Sequence, residues 1–192
     1  MNEEVSTFKF PSVNGYPKII SSRKKVKDFF YALSCDEART IFLFYATSGL
    51  RRNEVLTLEF TDVDFDRRMI IPSSGNSQTK RTWVTFYNRE CEEYLDRYFE
   101  QRDTSNPKVF QFAYRIVNRW FETTKKETGI NITPQRLREW FCCEMGRLGV
   151  QDRYVDAFCG RVPKSILSRH YTDHSPERLK RIYDKANLKV LS

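Results

Sequence analysis

Four glycines partition this chain. Gly49, Gly129, Gly149 and Gly160 each close a stretch whose apolar residues recur at helical spacing. Glycine in that place ends a helix, because it enters the left-handed backbone region at no steric cost. Helix-starting signals answer them. Ser34-Cys35-Asp36-Glu37 has the form of a capping box and predicts a helix through Ile41, Leu43 and Tyr45 to Gly49. Glu54, Val55 and Leu58 predict a short second helix. Thr133-Pro134 is an N-cap followed by proline at the first helical position, opening a helix through Leu137, Phe141 and Met145. Ser175-Pro176 opens a last one with Leu179, Ile182 and Tyr183. Between them, Cys91, Tyr94, Leu95 and Tyr98 mark a helix, as do Ile116, Val117 and Trp120. Val155 and Phe158 mark a short helix before Gly160, and Pro163 begins a further short segment with Ile166, Leu167 and Tyr171.

One window breaks the helical rhythm. Met69-Ile70-Ile71 and Trp83-Val84-Thr85-Phe86 have the composition of strands, and Ser73-Ser74-Gly75-Asn76-Ser77 is turn-forming. The fold class predicted is therefore mainly α with a small antiparallel β-sheet (α+β), a single domain over residues 21–192. Residues 1–20, with Pro11, Gly15 and Pro17 and little periodicity, are expected to form an extended arm or linker. The basic run from Ser21 to Lys27 is expected to be a solvated face. The tail, with Leu188, Val190 and Leu191, is expected either to pack on its own domain or to pass to another subunit.

Composition narrows the function. Apolar residues are 40% of the chain and aromatics 15%, which excludes bulk disorder. The formal charge of +8 fits a polyanionic partner, nucleic acid first, although a merely soluble basic protein has the same balance. Cys35, Cys91, Cys142, Cys143 and Cys159 are odd in number and contain no C-x-x-C pair. They are expected to be reduced and mostly buried in an intracellular protein, and neither zinc nor another metal is expected. His170 and His174 stand four apart but lack a third ligand, so a phosphate contact or a plain surface position is the expectation. The longest apolar run, Ile41 to Ala46, is too short to span a bilayer.

Five residues stand at structural punctuation marks. Arg51 follows a helix-ending Gly-Leu. Lys80 lies beside the hairpin turn and is the sole lysine between Arg51 and Lys108. Arg138 is one turn into a capped helix, Arg161 follows Gly160, and Tyr171 comes ten residues later. Each has a plain structural explanation. Arginines at helix ends satisfy carbonyls, a hairpin lysine protects a sheet edge, and tyrosines pack. Tyr183 and Tyr154 fit that last description, whereas Tyr171 has Lys164, Ser168, Arg169, His170 and Thr172 around it.

Taken together, the motifs resemble those of tyrosine recombinases, the phage-type integrases. Thr47-Ser48-Gly49-Leu50-Arg51-Arg52-Asn53-Glu54-Val55-Leu56-Thr57-Leu58 resembles the first box of that family. Thr133-Pro134-Gln135-Arg136-Leu137-Arg138 resembles the second. Phe158-Cys159-Gly160-Arg161 resembles its Leu-Gly-His segment, and Arg169-His170-Tyr171-Thr172-Asp173 resembles the segment with the nucleophile. Lys80 falls at the hairpin lysine. Order and spacing agree from about Leu33 to Asp184, in the manner of integrases of archaeal viruses and plasmids.

The resemblance implies the tyrosine-recombinase catalytic-domain fold and a reaction on double-stranded DNA. Tyr171 would attack a phosphodiester and form a 3′-phosphotyrosyl bond, which a strand hydroxyl later reverses. Arg51, Arg138 and Arg161 would bind the phosphate and Lys80 would protonate the leaving 5′-oxygen, with no cofactor. Gln135 stands where the family has histidine. It can donate a hydrogen bond but cannot take up a proton, which leaves the base for Tyr171 unassigned. Arg161 also replaces a histidine, and Glu139 stands where a second histidine is common.

The family also implies a cytoplasmic protein in the host cell of a virus or plasmid, monomeric in solution and tetrameric on DNA. There is no room before Leu33 for the family's N-terminal core-binding domain, so this stretch is expected to be a catalytic domain or fragment that binds DNA weakly alone. A type IB topoisomerase-like enzyme and a non-catalytic DNA-binding remnant remain open as alternatives, as does a basic helical protein-interaction domain.

Overall fold

The computed structural model describes residues 21–72, 84–103, 105–161 and 172–192. The expected arm at residues 1–20, the turn at Ser73–Ser77 and the segment begun by Pro163 lie outside them.

Helix α2 (Asp36–Ser48) is the axis of the fold. Nearly every side chain from Ala38 to Ser48 is buried, so this helix is covered on all sides. Against it pack α1 (Arg23–Ala32), α4 (Arg89–Gln101) and α6 (Pro134–Arg147), with α3 (Arg52–Thr57) continuing from its end. Helix α5 (Tyr114–Thr128) packs on α1, and α7 (Asp152–Phe158) on α6. The last described helix, α8 (Pro176–Ala186), lies on the sheet.

Aromatic rings fill the interfaces. Phe42 of α2 stacks on Phe29 of α1 and Phe121 of α5, with centroids 5.7 and 6.0 Å away, and those two rings also touch each other. Phe86 and Phe158 join Tyr183 of α8 in a second group. Tyr183, expected in the core, is buried there and donates from its hydroxyl to Thr47 O at 2.8 Å.

Among the described residues the sheet has three short antiparallel strands in sequence order: β1 (Val63–Asp64), β2 (Met69–Ile70) and β3 (Thr85–Phe86). Val63 pairs with Ile70, and Ile70 with Thr85. Two of these strands were expected. The third, β1, is two residues long and shows no alternation to read. It is joined to β2 by a turn in which Arg68 takes a positive φ of 49°.

Three other expectations need correction. The basic run Ser21–Lys27 is not merely a solvated face, because it opens α1. Ser22 caps that helix by accepting from Lys25 N, and Val26, Phe29 and Phe30 form its buried seam. The N-cap of α2 is Cys35 rather than Ser34; it makes no side-chain cap bond, and Asp36 and Glu37 occupy the first turn, where negative charge suits the helix dipole. Among the five free cysteines only Cys91 and Cys159 are buried; Cys35, Cys142 and Cys143 are half-buried.

The tail after α8 folds back on its own chain. Leu188 and Val190 are buried, and the Glu90 carboxylate accepts from the amides of Val190, Leu191 and Ser192 at 2.7, 3.1 and 3.2 Å.

Candidate active site

The C-terminal end of α2 sets the geometry. Gly49 ends the helix with φ of 67°. A Cβ there would stand 2.5 Å from Cδ1 of Phe141 and 3.3 Å from Sγ of Cys159. The position therefore requires glycine for both conformation and space. The chain turns and delivers Arg51 to the N-cap of α3. Glu54, one turn on, accepts from Arg51 N at 2.7 Å and from its guanidinium at 2.6 Å. One carboxylate thus fixes both the backbone and the side chain of Arg51.

Arg138 reaches the same turn from α6. Its side chain is buried, with 4% of the residue exposed. Nη1 donates to Gly49 O at 2.5 Å and Nη2 to Cys159 O at 2.6 Å. Glu54 Oε2 stands 4.0 Å from Nη1. Burial, and then the nearby Arg51 cation, lower the pKa of Arg138, while Glu54 acts the other way. A guanidinium stays charged through such a shift.

Arg161 follows the C-terminal end of α7. It donates to Asp156 at 2.9 Å and lies 3.7 Å from Cys142 Sγ. Its side chain is 48% exposed. Arg51, Arg138 and Arg161 are thus assembled around one junction, where the ends of α2 and α7 meet α6. Gln135 is not drawn into it. It sits exposed near the start of α6, donates to Glu139 at 3.3 Å, and lines an open groove of about 1060 Å³ with Ser22, Lys25 and Arg136. Lys80 and Tyr171 lie outside the described residues, as does His170. Among the described residues no group of three or more His, Cys, Asp or Glu is placed to hold a metal ion, and no helix is long and apolar enough to cross a membrane.

Sequence reasoning passed over four participants. Glu54 was read only as part of the short second helix, although its spacing of three from Arg51 at a helix start is a legible signal for an ion pair. Asp156 carried no such mark. Cys142 and Cys159, whose sulfurs meet at 3.4 Å, appeared only as thiols.

Guanidinium groups are the side chains suited to holding an anion by two hydrogen bonds. Each guanidinium has five N–H donors in a planar fork, and Arg138 uses two groups on carbonyls. Its orientation is fixed before any ligand arrives.

Comparison with known proteins bears on the family and the fold. The family model described as the phage integrase family matches residues 22–178. The tyrosine recombinase XerA of Pyrococcus furiosus is 24% identical over 98% of this chain and 68% of its own length. The crystal structure of a XerA recombinase superposes with a TM-score of 0.66 at 23% identity, covering 94% of this chain and 68% of that one. A Tn1549 transposon integrase, solved with circular intermediate DNA, superposes with a TM-score of 0.61 at 16% identity over 91% of this chain and 69% of that one.

Proposed function

The chain belongs to the phage integrase family, and from that membership and the arginine junction we propose that it is the catalytic domain of a site-specific DNA recombinase. Arg51 and Arg138 hold the scissile phosphate. Charge that builds on the non-bridging oxygens during attack meets donors already aimed at it, and such preorganised donors commonly contribute 10²–10³ each in rate. Arg161 adds a third cation, more exposed than the others. Gln135, one turn before Arg138 on α6, would have to leave Glu139 and turn toward the junction to donate a hydrogen bond to a phosphate oxygen. Tyr171 is the nucleophile, forming the 3′-phosphotyrosyl bond, and Lys80 gives its proton to the departing 5′-oxygen. The link keeps the phosphodiester's bond energy, so a hydroxyl from a second strand can reverse the step without ATP. DNA is the partner. The same proposal includes a monomer free in solution, a tetramer on DNA, and a cytoplasmic setting in the host cell of a virus or plasmid.

The observation that carries the reading is Arg138, buried and clamped between Gly49 O and Cys159 O within reach of the Arg51–Glu54 pair. A surface arginine with a general electrostatic role would need no such clamp.

A nicked suicide substrate, incubated without metal, tests it. A covalent protein–DNA band that disappears in Tyr171→Phe is expected. Salt-sensitive DNA binding with no adduct, from folded protein on a matched site, would instead indicate a binding remnant. Relaxation of supercoils without exchange between two sites would indicate the topoisomerase-like alternative.

A further inference from the structure

Beneath the arginine junction two thiols face each other. Cys142 lies on α6, four residues after Arg138. Cys159 is the C-cap of α7, two residues before Arg161. Their sulfurs are 3.4 Å apart. Each is tied to an arginine: the carbonyl of Cys159 accepts from Arg138, and Arg161 Nη2 approaches Cys142 Sγ at 3.7 Å. Cys159 Sγ also lies beside Gly49. One thiol pair thus touches all three chain segments that hold the arginines.

Simple packing would explain two buried thiols in contact. Two observations go further. Cys142 is half-buried, whereas Cys159 is wholly enclosed, so Cys142 is the more accessible residue of the two. The hydrogen bond from Cys159, then the Arg161 and Arg138 cations, lower the pKa of Cys142 against the opposing effect of burial. A partly exposed thiol in a cationic surrounding is the kind that reacts. A disulfide needs the sulfurs at about 2.05 Å, an approach that small side-chain rotations on two adjoining helix ends can supply.

We propose that Cys142 and Cys159 form a thiol-modification site that takes small-molecule disulfides and closes to a reversible intramolecular disulfide. The Cys142 thiolate attacks one sulfur of the small disulfide, forming a mixed disulfide and expelling a thiolate. Cys159 passes its proton to that thiolate and attacks Cys142 Sγ. The mixed bond breaks and a second thiolate leaves, taking from solvent the proton that Cys142 had released. Two protein thiols are oxidised and one small disulfide is reduced to two thiols. Closure withdraws the sulfur beside Arg161 and pulls on the loop whose carbonyl clamps Arg138. Its effect on strand cleavage rests on the recombinase reading above.

The test uses hydroxyethyl disulfide on the folded chain, followed by non-reducing tryptic mapping. Peptide 139–147 should appear joined to peptide 154–161. The joined peptide should persist in Cys143→Ser and vanish in Cys142→Ser. In Cys159→Ser the probe should remain on Cys142 as a stable mixed disulfide. A joined peptide that needs Cys143, or none at all while circular dichroism shows a native fold, overturns the site. Oxidised protein should form the covalent DNA adduct at least ~10-fold more slowly, in line with a displaced phosphate donor, and recover with dithiothreitol. An unchanged rate overturns the effect on cleavage. If reduced protein forms no adduct, the recombinase reading fails, and the peptide map still decides the site.

Discussion

Replacing Arg138 by lysine separates the two duties that the structure gives this residue. The guanidinium spans Gly49 O and Cys159 O, each at hydrogen-bonding distance and each at the end of a helix. A lysine ammonium is a single point on a flexible stem and reaches one of them. The other carbonyl is left buried without its donor, which costs about 1–3 kcal/mol. Enclosing an ammonium in place of the more weakly hydrated guanidinium adds to that. The expected loss for Arg138→Lys is about 3 kcal/mol, or roughly 6–12 °C in Tm for a chain of this length. Arg51→Lys is the control. Its side chain is 30% exposed and paired with one carboxylate, so its stability loss should stay under about 1 kcal/mol. Both variants should slow adduct formation by roughly 10²–10³. Thermal unfolding followed by circular dichroism, alongside the suicide-substrate assay, measures both quantities. If Arg138→Lys melts with Arg51→Lys, the clamp contributes nothing to folding, and the argument from its burial is wrong.

Other perturbations follow from the same geometry. Gly49→Ala forces a side chain into a left-handed position and against the Phe141 ring; strain and overpacking together should cost about 2–4 kcal/mol, and a melting curve within 2 °C of wild type, on the order of half a kcal/mol, would contradict the close approach. Asp156→Asn removes the charged partner of Arg161 at a half-exposed pair; stability should move by less than about 1 kcal/mol while adduct formation slows, and equal rates would place Arg161 outside the reaction. Glu90→Ala removes the acceptor of three tail amides, so hydrogen exchange at Val190, Leu191 and Ser192 should accelerate about tenfold or more with little change at α2; unchanged protection would mean that apolar packing alone holds the tail. Alkylation by iodoacetamide should reach Cys142 at a pH below that of an ordinary thiol, while Cys91, whose burial pushes its thiol far up, stays unmodified in folded protein.

Local chemistry decided which of these features could be anticipated from sequence. Helices α2 and α6 were legible because their ends carry residues with single conformational uses: Gly49 at one, Thr133-Pro134 at the other. Helix α1 was hidden. Its apolar seam is three residues long, Val26, Phe29 and Phe30, set among Arg23, Lys24, Lys25 and Lys27, and charge drew attention away from periodicity. Strand β1 owes its existence to pairing with Ile70 and Met69, a tertiary fact with no local signature. In the site, Arg51 was marked by the Gly-Leu before it. The clamp on Arg138 was not, since its acceptors lie 89 and 21 residues away. The sequence pattern nominated the arginine, and only folding revealed what holds it.

Those acceptors explain how several cations can share a junction before an anion arrives. Gly49 caps the C-terminal end of α2, and Cys159 caps that of α7. Carbonyls at such ends lack intrahelical donors and carry the negative pole of the helix dipole. Arg138 therefore occupies a place where two helices supply partial negative charge, and Glu54 supplies a whole one between it and Arg51. The repulsion between the arginines is offset within the fold. Because these counter-charges are backbone carbonyls and a carboxylate held on Arg51 N, under the proposed function they need not move when phosphate binds. Donors not engaged by them would remain for the proposed substrate. An arginine pair held together only by mobile counter-ions would have to exchange those ions and reorient at each encounter. Here folding has completed the orientation, so under the proposed function the field that would meet a developing phosphate charge is present from the start.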